Sequence, residues 1–470
     1  MESIQNIASF VASVLSDYTL VPLLLAAAIY YTIATRGVQF RMAGEMLRLL
    51  MESGKPSGHA THGKTVSSFQ AFAVSIASRV GTGNLAGVAS AIAIGGPGAV
   101  FWMWIIALLG ASSAFAESTL AQLFKIRGKD SFMGGPAYYI LKGLHSRTWA
   151  VTFAILITLT FGFAFNSVQS NTIAGALHTS FGLEAVWIGV PLAVLTLIII
   201  SGGISRISRF SEIIVPAMAI AYIILALVIV FINIHRLPEV LGLIIGNAFG
   251  FDQALGGTVG TAMIMGIKRG LFSNEAGEGS TPNAAATAHV SHPVKQGLIQ
   301  ALGVYTDTLI ICTCTAFIIL CSGLYLEGHD GIILTQHAID AGLGGNTSLG
   351  STFVSIAIFF FAFTSIVANY YYGETNLRFI HNDNRIIIIY RLLVTAIVFW
   401  GAISALDLVW AFADVTMALM TLCNLAAIVA LRRYVLLCLA DYRRQRPLGD
   451  PVYHRSTIPQ IAAETTSWPE

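Results

Sequence analysis

The chain has 470 residues, of which 55% are hydrophobic and only 11% charged, and its formal net charge is +2. Soluble domains keep roughly a quarter of their residues charged, so this composition excludes a soluble globular protein and fits a chain whose solvent is the lipid bilayer. The near-neutral balance offers no basic face for a nucleic acid, and nothing in the sequence requires a protein partner.

Apolar runs long enough to cross a bilayer, about 20 residues each, begin at residue 18 and continue to residue 438. The first 17 residues hold no Lys or Arg and no small-residue cleavage pattern, which predicts a retained helix instead of a signal peptide. Eleven helices are predicted, at 18–34, 67–95, 98–124, 149–179, 185–203, 210–234, 254–289, 298–324, 351–377, 386–401 and 407–438. Basic residues gather in alternate connections: Arg36, Arg41, Arg48, Lys55 and Lys64 after the first helix, and Lys125, Arg127, Lys129, Lys142 and Arg147 after the third. The series continues with Arg206 and Arg209, Lys295, then Arg378, Arg385 and Arg391, then the tail from Arg432 to Arg455, which leaves Arg236 alone on the other side. By the positive-inside rule the chain sits in the cell inner membrane with its N-terminus outside and its C-terminus in the cytoplasm. All five cysteines lie inside or at the ends of apolar segments, without a disulfide spacing.

Two spans are too long and too polar for plain lipid-facing helices. The second contains Ser78-Arg-Val-Gly-Thr-Gly-Asn84 and the seventh Lys268-Arg-Gly-Leu-Phe-Ser-Asn-Glu-Ala-Gly277, and both are expected to unwind in the middle. Setting Arg79 against Arg269 also aligns Asn84 with Asn274, Ala86 with Ala276, Gly87 with Gly277 and Ser90 with Ser280. A second match, Phe161-Gly-Phe-Ala-Phe-Asn-Ser-Val-Gln-Ser-Asn171 with Phe359-Phe-Phe-Ala-Phe-Thr-Ser-Ile-Val-Ala-Asn369, shares six residues without a gap. Each second copy lies five helices after its first, and an odd number of crossings reverses direction. The organisation expected is therefore an extra helix and loop at 1–66, a five-helix repeat at 67–234, its inverted copy at 254–438 and a cytoplasmic tail at 439–470.

A break in hydrocarbon leaves backbone groups unpaired at several kcal/mol each, by the usual order of magnitude, so it is kept where it lines a cavity or binds something. A restarting half-helix offers N–H groups and partial positive charge to a carboxylate; an ending one offers carbonyls to a cation. Gly81, Thr82, Gly83 and Asn84 suit the first role, against the alternative that Gly83 and Gly87 form a packing GxxxG. Thr364 and Ser365 supply adjacent hydroxyls of the kind that, with carbonyls, suit sodium, unless they only bond back to their own helix. Gln169, Asn171 and Asn369 are amides able to bind a zwitterion or to glue helices together. Arg79, Lys268 and Arg269 fall within spans, as do Glu117, Glu275, Glu278 and Asp307, and are candidates to pair with one another as gates or locks. His289 and His292 have i, i+3 spacing, but no Cys or carboxylate pattern stands beside them and a solvated turn is the expectation. No Walker pattern speaks for primary pumping, and no nucleophile, base or metal signature speaks for an enzyme.

Gly81-Thr-Gly-Asn-Leu-Ala-Gly-Val-Ala89, Gly95-Gly-Pro-Gly-Ala-Val-Phe-Trp-Met-Trp104, Ala116-Glu-Ser-Thr-Leu-Ala-Gln122, Gly134-Gly-Pro-Ala-Tyr138 and Gly270-Leu-Phe-Ser-Asn-Glu-Ala-Gly277 together resemble the alanine/glycine:cation symporter family, over residues 15 to 445. The resemblance implies an all-α membrane fold of the leucine-transporter type, five plus five helices with one extra at the N-terminus. It also implies sodium as the co-transported ion, no organic cofactor, and alanine, glycine or glutamine as substrate. By family position the substrate lies among Thr82, Gly83, Asn84, Gln169, Phe272 near the second break, Ser365 and Asn369, and sodium among Ala77, Val80, Thr364 and Ser365. Alanine-selective relatives tend to carry a bulky aromatic where this chain has Asn369, which implies a roomier, more polar pocket that accepts glutamine. Proton coupling through Glu117 or Asp307 and a channel are the rival readings.

Overall fold

The computed structural model describes residues 13–53, 66–128, 131–250, 258–345 and 348–470. Lys55, Lys64 and Lys129 of the basic connections, and the first residues of the predicted 254–289 span, lie outside them.

The bundle runs α1 (Val14–Ala34), α2 (Ser68–Arg79), α3 (Gly83–Gly95), α4 (Gly98–Leu123), α5 (Arg147–Phe181), α6 (Ala185–Ile200), α7 (Gly203–Ile232), α8 (Val259–Asn274), α9 (Pro293–Ser322), α10 (Leu349–Ile380), α11 (Asn384–Ile403), α12 (Leu406–Ala430) and α13 (Arg432–Gln445). Eight of these helices are long and apolar enough to cross a membrane, and α3 and α6 are shorter apolar ones. Helices at Pro136–Leu144, Leu237–Ala248 and Gly331–Gly342, absent from the sequence reading, fill connections. The predicted 407–438 helix ends at Ala430, because Arg432 and Arg433 begin a separate amphipathic helix. A two-residue hairpin, β1 (Ile126–Arg127) with β2 (Phe132–Met133), follows α4.

Burial separates the helices that face lipid from those that build the core. Only 22% of the most apolar stretch of α7 is buried, and Ile213, Ile220, Ile224, Leu227 and Phe231 point outward; in α10 the share is 72%. In α4 every residue from Gly110 to Leu123 is buried. Close approach there depends on small residues: a Cβ on Gly266 of α8 would overlap the Ala99 carbonyl of α4, and one on Gly98 would lie 2.5 Å from the Ala248 amide nitrogen.

One end of the bundle carries the hairpin and the C-terminal residues, which fold back onto it. Trp468 Nε1 donates to the Gln122 and Leu123 carbonyls, Ser467 Oγ to the Lys125 carbonyl at 2.9 Å, and the Tyr453 amide to the Ser291 carbonyl at 2.8 Å. Lys125 Nζ lies over both the Phe132 and Trp468 rings. The expected solvated turn at His289 and His292 is therefore only half right. His289 is exposed, but His292 is buried beneath this tail, with Nε2 at 3.4 Å from Asp441 and its ring against Tyr442 and Tyr453.

Candidate functional site

The first break is short. A capping box between Ser67 and Gln70 starts α2, which ends when Val80 turns to an extended ψ of 92° after its amide bonds the Ile76 carbonyl. Thr82 then restarts the chain as α3, whose opening turn Gly83–Gly87 is a wide π turn. The N–H groups freed here are capped by neutral amide oxygens: Asn84 Oδ1 accepts from the Gly81 amide at 3.0 Å, and Gln169 Oε1 accepts from the Thr82 amide at 3.0 Å and its hydroxyl at 2.7 Å. Thr82, Asn84 and Gln169 are buried. An oxygen at the Gln169 Oε1 position meets two donors at a helix start, the environment a carboxylate oxygen prefers.

Ser365 closes the other side of this break. Its hydroxyl donates to the Ala77 carbonyl at 2.8 Å and lies 3.4 Å from the Val80 carbonyl, so α10 contributes an oxygen to the end of α2. Only glycine fits at position 81, since an added Cβ would overlap Ser365 Oγ and stand 2.8 Å from Gln169 Oε1. Thr364 donates to the Phe361 carbonyl of its own helix at 2.8 Å, the local bond that was the alternative to ligation; Ser365 Oγ also lies 3.0 Å from that carbonyl, but it reaches the end of α2 as well. The neutral hard oxygens of Ala77, Val80 and Ser365 suit an alkali cation better than a transition metal.

Asp307 joins the two broken helices. Asn84 Nδ2 donates to its Oδ1 at 2.7 Å, while Ser273 Oγ and Thr308 Oγ1 donate to its Oδ2 at 2.7 and 2.8 Å. Cys312 packs into the same cluster, its sulfur 3.3 Å from Asn84 Nδ2 and 3.1 Å from Ser273 Oγ. Sequence reasoning gave Cys312 no contact of this kind, since a cysteine in an apolar run carries no signal for one.

The second break lies further along the chain than the Arg79–Arg269 alignment implied. Phe272 is still helical, α8 continues through Asn274, and the chain unwinds from Glu275, in the left-handed region at φ 55°, to Thr281. Gly277 and Gly279 take φ of 90° and 86° within it. Glu275 accepts from Ser78 Oγ and Ser280 Oγ, both at 2.6 Å, and Glu117 accepts from the Gly277 and Gly279 amides at 3.1 and 3.0 Å and from Asn424 at 2.8 Å. Asn369 reaches this network: its Oδ1 is 2.8 Å from Ser78 Oγ and its Nδ2 3.2 Å from Asn166 Oδ1. Ser78 has one proton for two acceptors. Asn171 instead donates to the Gly401 and Ser404 carbonyls at 3.0 and 2.7 Å, holding α5 against the end of α11.

A family model described as the sodium:alanine symporter family matches residues 1–455. The chain belongs to that family. It is 52% identical over 445 residues to the amino-acid carrier protein AlsT of Bacillus subtilis, covering 94% of each chain. It is 49% identical over 458 residues to the probable sodium/glutamine symporter GlnT of the same organism, covering 97% of this chain and 94% of the other. To the sodium/alanine symporter AgcS of Methanococcus maripaludis it is 36% identical over 419 residues, covering 87% of this chain and 90% of that one. Among solved structures, MhsT in complex with L-phenylalanine matches with a TM-score of 0.56 at 14% identity over 86% of this chain and 93% of that one, which establishes a shared fold. This member of the sodium:alanine symporter family is thus a multi-pass membrane protein of the leucine-transporter fold.

In this family member the ionisable residues inside the spans pair differently from expectation. Lys268 Nζ and Arg269 Nη1 bind Asp414 at 2.9 and 3.2 Å, and Lys268 lies 3.7 Å from Asp17; neither basic residue meets Glu117, Glu275, Glu278 or Asp307. The cause is that α12 crosses beside α8 and presents Asp414 there. Arg79 donates to the Gln300 carbonyl at 3.2 Å and Thr281 Oγ1 at 3.3 Å, with no carboxylate in ion-pair contact among the described residues. Asp414 and Trp410 were missed, although a carboxylate inside the predicted 407–438 span was a signal available to find the first.

Beside the first break, Phe272 packs between Phe165, ring centres 4.5 Å apart, and Trp410, 4.8 Å apart, with the rings tilted at 47° and 52°, and the Arg269 guanidinium covers Trp410 at 4.0 Å. Trp410 and Ala86 floor a cavity of about 470 Å³ at the end away from the tail, lined also by Asn171, His178 and Asp330. At the tail-bearing end a cavity of about 680 Å³ is lined by Arg127, Tyr371, Glu374, Arg378 and Arg391.

Proposed function

We propose that this chain is a sodium-coupled symporter of small neutral amino acids, of the alanine/glycine class and extending to glutamine, with the tail-bearing end in the cytoplasm and the N-terminus outside the plasma membrane. The observation that carries the reading is the first break, where the Gly81 and Thr82 donors stand within one turn of the Ala77, Val80 and Ser365 oxygens. The substrate carboxylate takes the place of Gln169 Oε1 on Thr82, and sodium sits among the Ala77 and Val80 carbonyls and the Ser365 oxygen, whose hydroxyl keeps its proton by turning it to the Phe361 carbonyl. Binding one creates the charge that favours the other, which is how two solutes become coupled. Thr82, Gly83, Asn84, Gln169, Phe272, Ser365 and Asn369 belong to the substrate region in this reading, and Thr364 supports the sodium position through Phe361. In this reading the two halves form a five-plus-five inverted repeat, the arrangement that brings two broken helices together.

Glutamine is included because Asn369 offers an amide beside Ser78 and because GlnT bears that substrate in its name. Sodium-gradient-driven uptake of labelled alanine, glycine and glutamine into proteoliposomes tests the whole reading, with cross-competition among the three. A channel gives unsaturable flux, and a proton-only symporter gives uptake in sodium-free buffer under a pH gradient. Asn369→Trp is expected to lose glutamine uptake more than alanine uptake, because a lost hydrogen-bond partner discriminates more than lost volume.

A further inference from the structure

Four carboxylates and one guanidinium are buried together around the second break. Glu117, Glu275, Glu278 and Asp307 are each 0–1% exposed, and Arg79 is 1% exposed. The four acids are not supported alike. Glu117 accepts from two backbone amides and Asn424, Asp307 from three side chains and Glu275 from two hydroxyls. Glu278 accepts none: both of its oxygens are buried without a hydrogen-bond partner among the described residues. Arg79 Nε and the side-chain amides of Gln296 and Gln300 are equally buried and unpartnered, and the Gln300 carbonyl receives Arg79 itself.

An ionised carboxylate without donors, surrounded by other carboxylates, is the least favourable charge a membrane interior can hold; the neutral acid is far less costly. The groups in electrostatic reach of Glu278 are Glu275 from its own segment, Glu117 from α4 and Arg79 from α2. Beyond them, Asp307 of α9 and Tyr372 of α10 act on Glu275, and Tyr31 and Tyr139 on Glu117. The single guanidinium among these groups balances one carboxylate and leaves the remainder to donors or to protons. Glu278 is also the only one of the four that stands on a hinge, between Gly277 and Gly279 with φ of 90° and 86°. Rearrangement of that segment is bound to change what Glu278 faces.

We propose that Glu278 is a proton-binding site of the transport cycle, separate from the sodium oxygens, protonated when the second break is packed as here and released when that break opens. The step is a plain acid dissociation: the carboxyl O–H breaks, the proton passes to water admitted as the break opens, and the carboxylate left behind is hydrated. The inference rests on the symport reading but makes a separate claim. It is tested on the full-length protein in proteoliposomes containing a pH dye. The wild type is expected to shift lumenal pH when alanine enters under a sodium gradient, and its initial rate is expected to change several-fold with an imposed pH gradient. Glu278→Gln, which fixes the neutral form, is expected to keep counterflow of labelled alanine and lose both pH responses. Should that variant fail to insert, infrared difference spectra of the wild type on adding sodium and alanine are expected to show a change in the protonated-carboxyl band. Alanine uptake by the wild type with lumenal pH unmoved, a wild-type pH response in Glu278→Gln, or an unchanged infrared band each overturns the Glu278 assignment while leaving symport standing. No uptake of any amino acid by the wild type would sink both.

Discussion

The two broken helices solve the same physical problem in opposite ways. The first is interrupted over Val80 to Thr82, and the donors of Gly81 and Thr82 each have a neutral side-chain oxygen at about hydrogen-bond length. The second is open from Glu275 to Thr281, contains two glycines in the left-handed region and is surrounded by carboxylates, one of which has no hydrogen-bond partner among the described residues. A short break satisfied by neutral groups is rigid and ready to exchange one oxygen for another. A long break held by charges is poised to change shape when a charge changes. In the proposed symport reading, the first is the break that recognises solutes and the second the one that converts occupancy into movement.

The largest effect is expected where the first break has no slack. Gly81→Ala should reduce uptake by about 100-fold or more, the scale on which a roughly 1 Å displacement of positioned groups acts, because its Cβ would overlap Ser365 Oγ. Gly87→Ala, whose Cβ would meet only the Thr82 carbonyl at 3.8 Å, should leave uptake within about twofold of wild type. Equal effects in the two variants, measured as initial rates at matched membrane levels, would show that the first break is not the rigid one.

Next comes the bridge between the breaks. Asn84→Leu removes a 3.0 Å cap on Gly81 and the 2.7 Å donor to Asp307 together, so amino-acid binding should fall by about 10- to 150-fold, the worth of one buried bond to a charged group. Membrane insertion should survive, since lipid does not penalise leucine. If expression is lost together with binding, Asn84 serves packing and not recognition.

A smaller change is expected at the ion oxygens. Ser365→Ala should raise the sodium concentration for half-maximal uptake about tenfold and weaken alanine binding at fixed sodium by linkage. Thr364→Ala should do so less, because its hydroxyl bonds its own helix at Phe361, whereas that of Ser365 also reaches the Ala77 and Val80 carbonyls. Identical sodium dependence in wild type and Ser365→Ala would remove α10 from the sodium position.

Much of this architecture was legible in advance. Membrane solvent, the broken second span and the polarity of Gly81 to Asn84 follow from hydropathy and from the cost of unpaired backbone, both local properties of the chain. The join of Ser365 to the Ala77 and Val80 carbonyls across α10 and α2 was reached by resemblance, since no spacing rule connects residues 288 apart in sequence. The exact place of the second break was not legible: Phe272 and Glu275 are one turn apart, and whether Gly270 or Gly277 turns left-handed is decided by what packs on them. The partners of Lys268, Arg269 and Arg79 were hidden for the same reason, as ion pairs depend on which helices cross. His292 was misjudged because the tail that buries it has an ordinary polar composition, indistinguishable from a solvated terminus.

That tail bears on the last and smallest effect, because it restrains the far side of the second break. The Ser291 carbonyl accepts from the Tyr453 amide at 2.8 Å, Ser291 Oγ donates to the Pro451 carbonyl at 2.8 Å, and Lys295 pairs with Asp450. His292 sits inside this contact; its Nδ1 accepts from the Val294 amide at 3.2 Å, so the ring proton is on Nε2, facing Asp441. Burial holds the His292 pKa below the ordinary histidine value, although Asp441 pulls the other way. With the tail undocked, the ring returns to the ordinary histidine value. The undocked form therefore binds more protons as pH falls below that value, and docking stability present at neutral pH is lost progressively on acidification. Protonating Nδ1 also removes the acceptor that caps Val294. Limited proteolysis of residues 446–470 in the full-length protein should accordingly be a few-fold faster at pH 5.5 than at pH 7.5, and His292→Gln should flatten the difference. Faster cleavage at acid pH should be matched by easier opening of the second break, seen as faster amide exchange over residues 275–292. Cleavage that does not depend on pH would detach the tail from the second break and leave the contrast between the two breaks resting on their own glycines and carboxylates.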